Sequence, residues 1–423
     1  MTGARAAVER EHYLGVPLGA CARGPFPGSE ELDRRGGSSR VDRSGILANW
    51  PVTAARIYSC VKMTTPLRCR SHTGHAPPVL HRAPTRDGWR VAVHRYAPAP
   101  SSHATPVVLC HGMGSNRFNL DGPGRTSLAR YLVARGYDVW LLELRGAGAS
   151  RRRLQLPPVP YAWSFEDYAT HDAPAALRLV RRVSGRPRVL WVGHSLGGMV
   201  AYALLMTPAG HTVAGAVTIA SPGMTDVGHE TLDVWVGLRR FLRYAPARIP
   251  TGTLARLGAP FAGPIAQLLR EPLRDWGWND DNLDLEVVRF MLARGVEDLP
   301  RSLLVEFARW YEAKRMSDRY DLFAFSDHLE RITTPMFVIA GSRDGLTPPA
   351  DIRRVYDRIG SKDKDMFVAG KEAGLGHDYS HVDLVLGRHA PDEVFPRIGA
   401  WLDAHRPASD TFAEARTSHR GIA

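Results

Sequence analysis

From about residue 89 to residue 221, short apolar runs alternate with longer segments in which apolar residues recur at helical spacing. The apolar runs predict strands buried on both faces, at residues 106–110, 137–144, 189–193 and 213–220. The helical spacing predicts helices, at residues 126–135, 165–183 and 196–206. Residues 89–96 alternate apolar and polar side chains and predict an edge strand. Such an alternation of strands and helices is typical of an α/β protein with a mainly parallel sheet whose faces are covered by helices.

The alternation stops between about residue 222 and residue 325, where the sequence has helical spacing and many large aromatic residues. It resumes with predicted strands at residues 335–340 and 366–369 and predicted helices at residues 350–359 and 393–405. We therefore predict one α/β core, residues 76–221 and 326–408, interrupted by a helical cap, residues 222–325.

Both ends of the chain differ from this core. Residues 1–75 are rich in glycine, arginine, serine and proline and show little periodicity. A segment with so little apolar material cannot bury enough surface to offset the entropy lost on ordering. We therefore predict a disordered N-terminal extension at residues 1–75 and a flexible tail at residues 409–423.

Composition and charge narrow the class of partner. The 423 residues are 44% hydrophobic and 23% charged, with a formal net charge of +12. Arginines are scattered along the chain, and no basic stretch is interleaved with aromatic residues as single-strand binding requires. We expect a small-molecule substrate and no nucleic-acid partner. The sequence leaves the oligomeric state open.

The same sequence contains neither a secretory leader in its first 20 residues nor an apolar run near 18 residues, so we expect a cytoplasmic protein without an integral membrane segment. The cysteines, Cys21, Cys60, Cys69 and Cys110, form no C-x-x-C motif and no disulfide framework. We expect them to be reduced. No spacing indicates a metal or another cofactor, and we expect neither.

The candidate chemistry starts at Gly193-His194-Ser195-Leu196-Gly197, a G-x-S-x-G motif between a predicted strand and a predicted helix. In such an elbow the serine occupies a sharp, strained turn, and the glycines avoid collisions with the neighbouring strand and helix. The alternative is a tight glycine-rich turn that happens to contain a serine. The strand–turn–helix context favours Ser195 as a nucleophile.

An oxyanion hole and an acid are expected at the ends of other strands. After the strand at residues 106–110, a His-Gly step precedes Met113, so we predict the N–H groups of Met113 and Leu196 as oxyanion donors. Asp344 follows the strand at residues 335–340 within a Gly/Pro turn. It is the candidate acid, although aspartate is also a preferred helix N-cap. The base follows the next strand, where His377 and His381 are both candidates.

From about residue 79 to residue 405 the chain resembles α/β-hydrolase-fold esterases and lipases, particularly the branch with acid lipases and polyhydroxyalkanoate-synthase-like hydrolases. The resemblance lies in residues 109–121, 142–150, 164–168 and 381–383. It implies an eight-stranded sheet, a helical cap, no cofactor and His381 as the catalytic histidine. Glu143 stands where that branch has aspartate. Ser195 argues against the synthases, which use cysteine, and against haloalkane dehalogenases, which use aspartate.

These observations together predict a serine hydrolase that cleaves a carboxylic ester through Ser195, Asp344 and His381, with an acyl-enzyme intermediate. Two alternatives stay open: an acyltransferase with the same triad, and a non-catalytic binding protein that has kept the fold. The aromatic residues of the cap also have two interpretations. Trp276 and Trp278 either line a hydrophobic acyl pocket or pack inside the cap itself.

Overall fold

The computed structural model of the chain describes residues 77–97, 104–152, 161–223, 237, 239–242, 244–264, 267, 277, 279 and 281–407. The predicted N-terminal extension (residues 1–75) and tail (residues 409–423) lie outside the described residues. The same holds for Trp276 and Trp278, and for Cys21, Cys60 and Cys69.

The strands, numbered in chain order, are β1 (Val79–Pro84), β2 (Trp89–Tyr96), β3 (Pro106–Cys110), β4 (Asp138–Glu143), β5 (Arg151–Arg152), β6 (Val189–His194), β7 (Val213–Ile219), β8 (Arg248–Ile249), β9 (Leu299–Pro300), β10 (Met336–Gly341) and β11 (Lys364–Ala369). The α-helices are α1 (Leu128–Ala134), α2 (Phe165–Asp167), α3 (Ala173–Ser184), α4 (Leu196–Leu205), α5 (Arg239–Leu242), α6 (Thr251–Gly258), α7 (Leu285–Phe290), α8 (Arg301–Ala313), α9 (Pro349–Arg358), α10 (Asp383–Leu386), α11 (Ala390–Glu393) and α12 (Phe395–Ala404). Short 3₁₀ and π turns occupy Arg117–Asn119, Tyr168–Asp172, Pro208–Thr212, Ala259–Phe261, Met291–Gly295, Phe325–Arg331 and Lys371–Ala373.

Eight strands form one path in the main sheet, in the order β1-β2-β4-β3-β6-β7-β10-β11, and the two-residue β5 pairs with β2. From β4 to β11 every neighbouring pair is parallel, whereas β2 is antiparallel to both β1 and β4. The predicted mainly parallel sheet is confirmed. The predicted position of residues 89–96 at the edge is wrong, because β1 covers that side of β2.

Apolar side chains cover both faces of this sheet. One cluster packs α3 and α4 against one face, with Trp140 and Trp191 at its centre. The other packs α1 and α12 against the opposite face, with Tyr137 and Phe395 fully buried. Strands β3, β4, β6, β7 and β10 are buried along their whole length, and each is mostly apolar, although β4 begins and ends with a carboxylate residue.

The described part of the segment between β7 and β10 contains helices α5 to α8 and a small antiparallel pair of β8 and β9. This segment contacts the loop after β3. The Ser115 hydroxyl donates to the Gly295 carbonyl (2.8 Å), and the Asn116 side-chain amide donates to the Arg294 carbonyl (2.7 Å). These bonds hold the segment beside the carboxyl end of β3.

None of the helices in the described ranges combines the length and the apolar character that crossing a bilayer requires.

The main sheet brings the loops with the candidate site residues together. The loops that follow parallel strands β3, β6, β10 and β11 all leave the same edge of the sheet, which is where open α/β sheets form their ligand sites.

Candidate active site

Ser195 occupies a strained turn between β6 and α4. Its backbone has φ 52° and ψ −118°, in a region that side chains other than glycine rarely adopt. Such a conformation costs on the order of 1–3 kcal/mol and persists only where the surroundings enforce it. Here the Ser195 N–H donates to the Ile219 carbonyl of β7 at 2.7 Å, which ties the turn to the neighbouring strand.

The two glycines that flank Ser195 are fixed by close packing. A Cβ atom on Gly193 would lie 2.2 Å from the Gly197 carbonyl oxygen. A Cβ on Gly197 would lie 2.2 Å from the Cys110 carbonyl oxygen at the end of β3. Any larger residue would therefore push helix α4 away from the sheet, which is the reason this sequence needs glycine on both sides of the serine.

The predicted oxyanion donors lie on the two loops that meet beside Ser195. Leu196 is the first residue of α4, so its N–H points out of a helix N-terminus, where developing negative charge is favoured. A Cβ on Gly112 would lie 3.3 Å from the Ser195 Cβ, so the loop carrying Met113 packs directly against the serine. Within the described residues, neither the Leu196 N–H nor the Met113 N–H is engaged in a hydrogen bond.

Asp344 and His381 form a buried pair at the ends of β10 and β11. His381 Nδ1 donates to Asp344 Oδ2 at 2.9 Å, and both side chains are nearly inaccessible to solvent. The carboxylate also accepts the N–H groups of Leu346 (3.0 Å) and Thr347 (2.8 Å). The N-cap position of α9 is held by Pro348, so the alternative role of Asp344 as the cap of that helix does not apply.

Thr347 contacts both Asp344 and His381, and the sequence analysis did not identify it. Its hydroxyl donates to Asp344 Oδ2 at 2.6 Å, and the hydroxyl oxygen lies 3.2 Å from His381 Nδ1. The Asp344 carboxylate also accepts the Thr347 N–H, as aspartates in turns often do with backbone N–H groups that follow them closely in the chain. That spacing could have identified Thr347 in the sequence as the group that holds the Asp344 carboxylate in place.

His377, the other candidate base, contacts a different carboxylate. Its Nδ1 lies 3.0 Å from Glu393 Oε1, and its ring stacks on His389 with 3.6 Å between centroids. Its side chain is 37% exposed. The structure therefore brings His381, and not His377, to Asp344.

Ser195 has no direct side-chain hydrogen bond to the Asp344–His381 pair within the described residues. The elbow and the His381 loop are joined instead through His194, whose Nε2 lies 3.1 Å from the His381 carbonyl oxygen and whose ring centroid is 5.0 Å from that of His381. Ser195, His381 and Asp344 thus lie on adjoining loops at one edge of the sheet, with one of the two expected side-chain contacts formed.

The Glu143 carboxylate organises the loop after β4. It accepts the N–H of Ala149 at 2.7 Å and lies 3.0 Å from His94 Nε2. Burial opposes ionisation of Glu143, but His94, the Ala149 N–H and His111 together outweigh this effect, so the pKa of Glu143 lies below its usual value. A Cβ on Gly148 would lie 2.2 Å from this carboxylate, so the loop wraps closely around a glutamate in place of the family's aspartate.

A small cavity of about 20 Å³ lies between the loop after β3 and the segment around β9. Leu196 of the elbow, Trp163 before α2 and Leu299 of β9 are among the residues that line it. A cavity of this size holds about one water molecule. It lies beside Leu196, one of the two predicted oxyanion donors, and beside the segment inserted between β7 and β10.

One group of potential metal ligands occurs in the described residues, formed by Asp87, Asp167 and His171. Two of its members are already paired with arginines. Asp87 accepts from Arg145 at 2.6 Å, and Asp167 accepts from Arg319 at 2.6 Å. These ion pairs neutralise the carboxylates, and we assign the group no metal.

The sequence is similar to a known protein family and to several known proteins. Residues 105–372 match the family model described as alpha/beta hydrolase fold. The chain is 24% identical over 357 residues to lipase member K of Homo sapiens, an alignment that covers 74% of this chain and 84% of that protein. It is also 24% identical to lipase 1 of Drosophila melanogaster, over 72% of each chain.

Among solved structures, the chain is similar to a thermophilic esterase from Thermogutta terrifontis. The TM-score is 0.50 at 17% sequence identity, and the match covers 78% of this chain and all of that one. At this level of identity the similarity is one of fold.

Proposed function

Because the chain belongs to the α/β-hydrolase family, we propose that it is a serine hydrolase that cleaves carboxylic esters with Ser195 as nucleophile. The observation that carries the proposal is the buried 2.9 Å hydrogen bond from His381 to Asp344, at the edge of the sheet where the Ser195 elbow lies. A histidine oriented by a buried carboxylate beside a strained serine is the constellation that nucleophilic acyl transfer needs. The curated relatives, which are described as lipases, agree with an ester substrate.

In the proposed reaction, His381 Nε2 removes the proton of the Ser195 hydroxyl as its oxygen attacks the ester carbonyl. Collapse of the tetrahedral intermediate expels the alcohol, which takes that proton from His381, and leaves an acyl-enzyme. Water, deprotonated by His381, then attacks the carbonyl of the acyl-enzyme. As the bond to Ser195 Oγ breaks and the acid is released, His381 returns that proton to Ser195. Asp344 accepts the hydrogen bond from Nδ1, which holds the imidazole in this tautomer, and stabilises the imidazolium.

The negative charge on the carbonyl oxygen is proposed to be held by the N–H groups of Met113 and Leu196. Two features of the geometry support this assignment: both groups are without a partner in the described residues, and their loops meet beside Ser195. A donor of this kind contributes on the order of 3 kcal/mol to transition-state stabilisation.

An acyltransferase would use the same groups, with an alcohol or a thiol in place of the second water. Product analysis with an added acceptor distinguishes the two reactions, because only a transferase forms the new ester in preference to the free acid. A cytoplasmic location stays a prediction.

Labelling with a fluorophosphonate tests whether Ser195 is activated. We expect one phosphonyl group on the peptide that contains Ser195, and no label after His381→Ala, because the serine then lacks its base. Labelling at another residue, or none in folded protein, contradicts the proposed function and favours a non-catalytic binding protein.

A further inference from the structure

The peptide that carries the Met113 N–H is held from its other end by His111. The Gly112 carbonyl, which belongs to the same peptide unit, lies 2.8 Å from His111 Nδ1. In a planar trans peptide the C=O and N–H bonds point in opposite directions. Fixing the direction of the Gly112 carbonyl therefore fixes the direction in which the Met113 N–H points.

The tautomer of His111 follows from its second contact. The Leu144 N–H donates to His111 Nε2 at 3.1 Å, so that nitrogen must carry a lone pair. Burial also lowers the pKa of His111, which favours the neutral ring. The single ring proton is then on Nδ1, where it donates to the Gly112 carbonyl.

Asn119 holds the preceding peptide. Its Oδ1 accepts the Gly112 N–H at 2.9 Å, and the side chain is buried. Gly112 is the one flexible residue between the two peptides, because glycine explores more backbone conformations than any other residue. With the peptide before it held by Asn119 and the peptide after it held by His111, that freedom is removed.

Asn119 also reaches the catalytic elbow. Its Oδ1 lies 2.9 Å from Nδ1 of His194, the residue before Ser195. The other ring nitrogen of His194 faces the His381 carbonyl oxygen. The loop that carries the oxyanion donor is thus connected to the nucleophile turn and to the loop of the catalytic histidine by one chain of buried polar groups.

We propose that His111 and Asn119 are positioning residues that clamp Gly112 and thereby aim the Met113 N–H at the oxyanion of the reacting ester. The inference rests on the proposed function, since it assumes an ester carbonyl attacked by Ser195. Neither side chain touches the substrate. Each acts through the backbone of Gly112, and neither was identified as a site residue in the sequence.

Two variants of His111, each with an amide side chain, distinguish an effect on the direction of the Met113 N–H from an effect on folding. In His111→Asn the side-chain amide lies near the former Nδ1 and keeps a donor for the Gly112 carbonyl. In His111→Gln the amide lies near the former Nε2, so it keeps a partner for the Leu144 N–H and loses the bond to Gly112.

Asn119→Leu removes the acceptor of the Gly112 N–H and replaces it with a side chain of similar volume. Asn116→Leu is the matched control, because Asn116 is an equally buried amide of the same loop that does not contact Gly112.

The measurements are kcat and KM for a p-nitrophenyl ester, per active site titrated with fluorophosphonate, together with the affinity for a butaneboronic acid that forms a tetrahedral adduct on serine. We expect His111→Gln and Asn119→Leu to lower kcat about 10-fold to 100-fold, with KM changed less than about 3-fold, as for partial loss of one oxyanion donor. Boronic acid affinity should fall by the same factor. His111→Asn should stay at least about 5-fold more active than His111→Gln, and Asn116→Leu should keep its boronic acid affinity.

The clamp is contradicted if His111→Gln and Asn119→Leu, each per titrated site, match the wild-type protein in kcat and boronic acid affinity. It is also contradicted if His111→Gln is more active than His111→Asn. Absence of ester turnover in the wild-type protein contradicts the proposed function instead, and boronic acid binding by the same variants then tests the clamp independently.

Discussion

His381 donates from Nδ1 to Asp344 Oδ2 across 2.9 Å, between two loops that are 37 residues apart in the chain. Both side chains are buried, and the carboxylate is further held by Thr347. The hydrogen bond leaves Nε2 of His381 as the ring nitrogen that can take a proton. His377, four residues earlier, is paired with Glu393 instead.

Replacing each of these two histidines by alanine should have opposite consequences. We expect His381→Ala to lower kcat for ester hydrolysis by at least about 10³-fold, because the serine loses its general base. His377→Ala should change kcat less than about 3-fold, since its partner Glu393 lies outside the proposed triad. Steady-state kinetics of the two purified variants checks the assignment. An active His381→Ala protein beside an inactive His377→Ala protein would reverse it.

The ion pair of Arg145 with Asp172 predicts a large loss of stability. Asp172 is completely buried and accepts from the Arg145 guanidinium at 2.8 Å, and Arg145 is itself buried. Asp172→Asn leaves a buried guanidinium short of its main counter-charge, so the free energy of unfolding should fall by about 3–5 kcal/mol. Urea denaturation followed by circular dichroism measures this change.

Asp87→Asn is the matched control for that measurement. Asp87 accepts from the same guanidinium at 2.6 Å, but its side chain is 32% exposed. Water can replace the contact, so we expect a loss of no more than about 1 kcal/mol. Equal losses of unfolding free energy in the two variants would mean that the burial of the carboxylate does not determine how much each ion pair with Arg145 stabilises the fold.

Glu306 of α8 predicts a pH dependence of stability. Its Oε2 accepts the Phe165 N–H at 2.8 Å, while its buried Oε1 has no hydrogen-bond partner among the described residues. Burial raises the pKa of Glu306 to about 7, against the opposing effects of the Phe165 N–H and Arg309. Because the folded-state pKa is raised, the stabilising effect of the bound proton is complete below about pH 4.5 and is lost as the pH rises through about 7.

Glu306→Gln removes that titration. We expect the variant to gain stability relative to the wild-type protein between pH 5 and pH 8, by about 1–3 kcal/mol for a shift of this size. Melting temperatures of both proteins at the two pH values give the comparison. Glu312→Gln, an exposed position of the same helix, should show no such pH-dependent gain. A gain for Glu306→Gln that is equal at pH 5 and pH 8 would contradict the titration of Glu306.

The sequence predicts the parallel part of the sheet well because strands β3, β6, β7 and β10 are buried on both faces and therefore consist of continuous apolar runs. It fails at β1 and β2. Residues Arg90, His94 and Arg95 give β2 the alternation of an edge strand, yet His94 is satisfied internally by Glu143 and Arg95 by Asp138. The true edge strand β1 has exposed residues at its start and gives only a weak signal.

In the candidate site, too, the sequence predicts some residues and not others. The sequence predicts Ser195 and Asp344 because each follows a strand in a recognisable local motif. The choice of His381 over His377 comes from the resemblance to the esterase and lipase branch. His111 and Asn119 cannot be assigned their contacts from the sequence, because those contacts depend on distances between loops or on the direction of a backbone group. Thr347 is different, since it lies only three residues after Asp344. Local patterns therefore identify the candidate reacting groups and the partner of Asp344, whereas the contacts of His111 and Asn119 emerge only from the folded chain.

Hydrolysis of p-nitrophenyl esters from acetate to palmitate tests the claim that Ser195 is the nucleophile of an ester hydrolase. The wild-type protein, Ser195→Ala and Ser184→Ala, a serine at the end of α3, are compared under the same conditions. We predict turnover by the wild-type protein and by Ser184→Ala, and a loss of at least about 10⁴-fold in kcat for folded Ser195→Ala. The chain length with the highest kcat/KM then gives the size of the acyl site. Turnover by Ser195→Ala near the wild-type rate would contradict the claim.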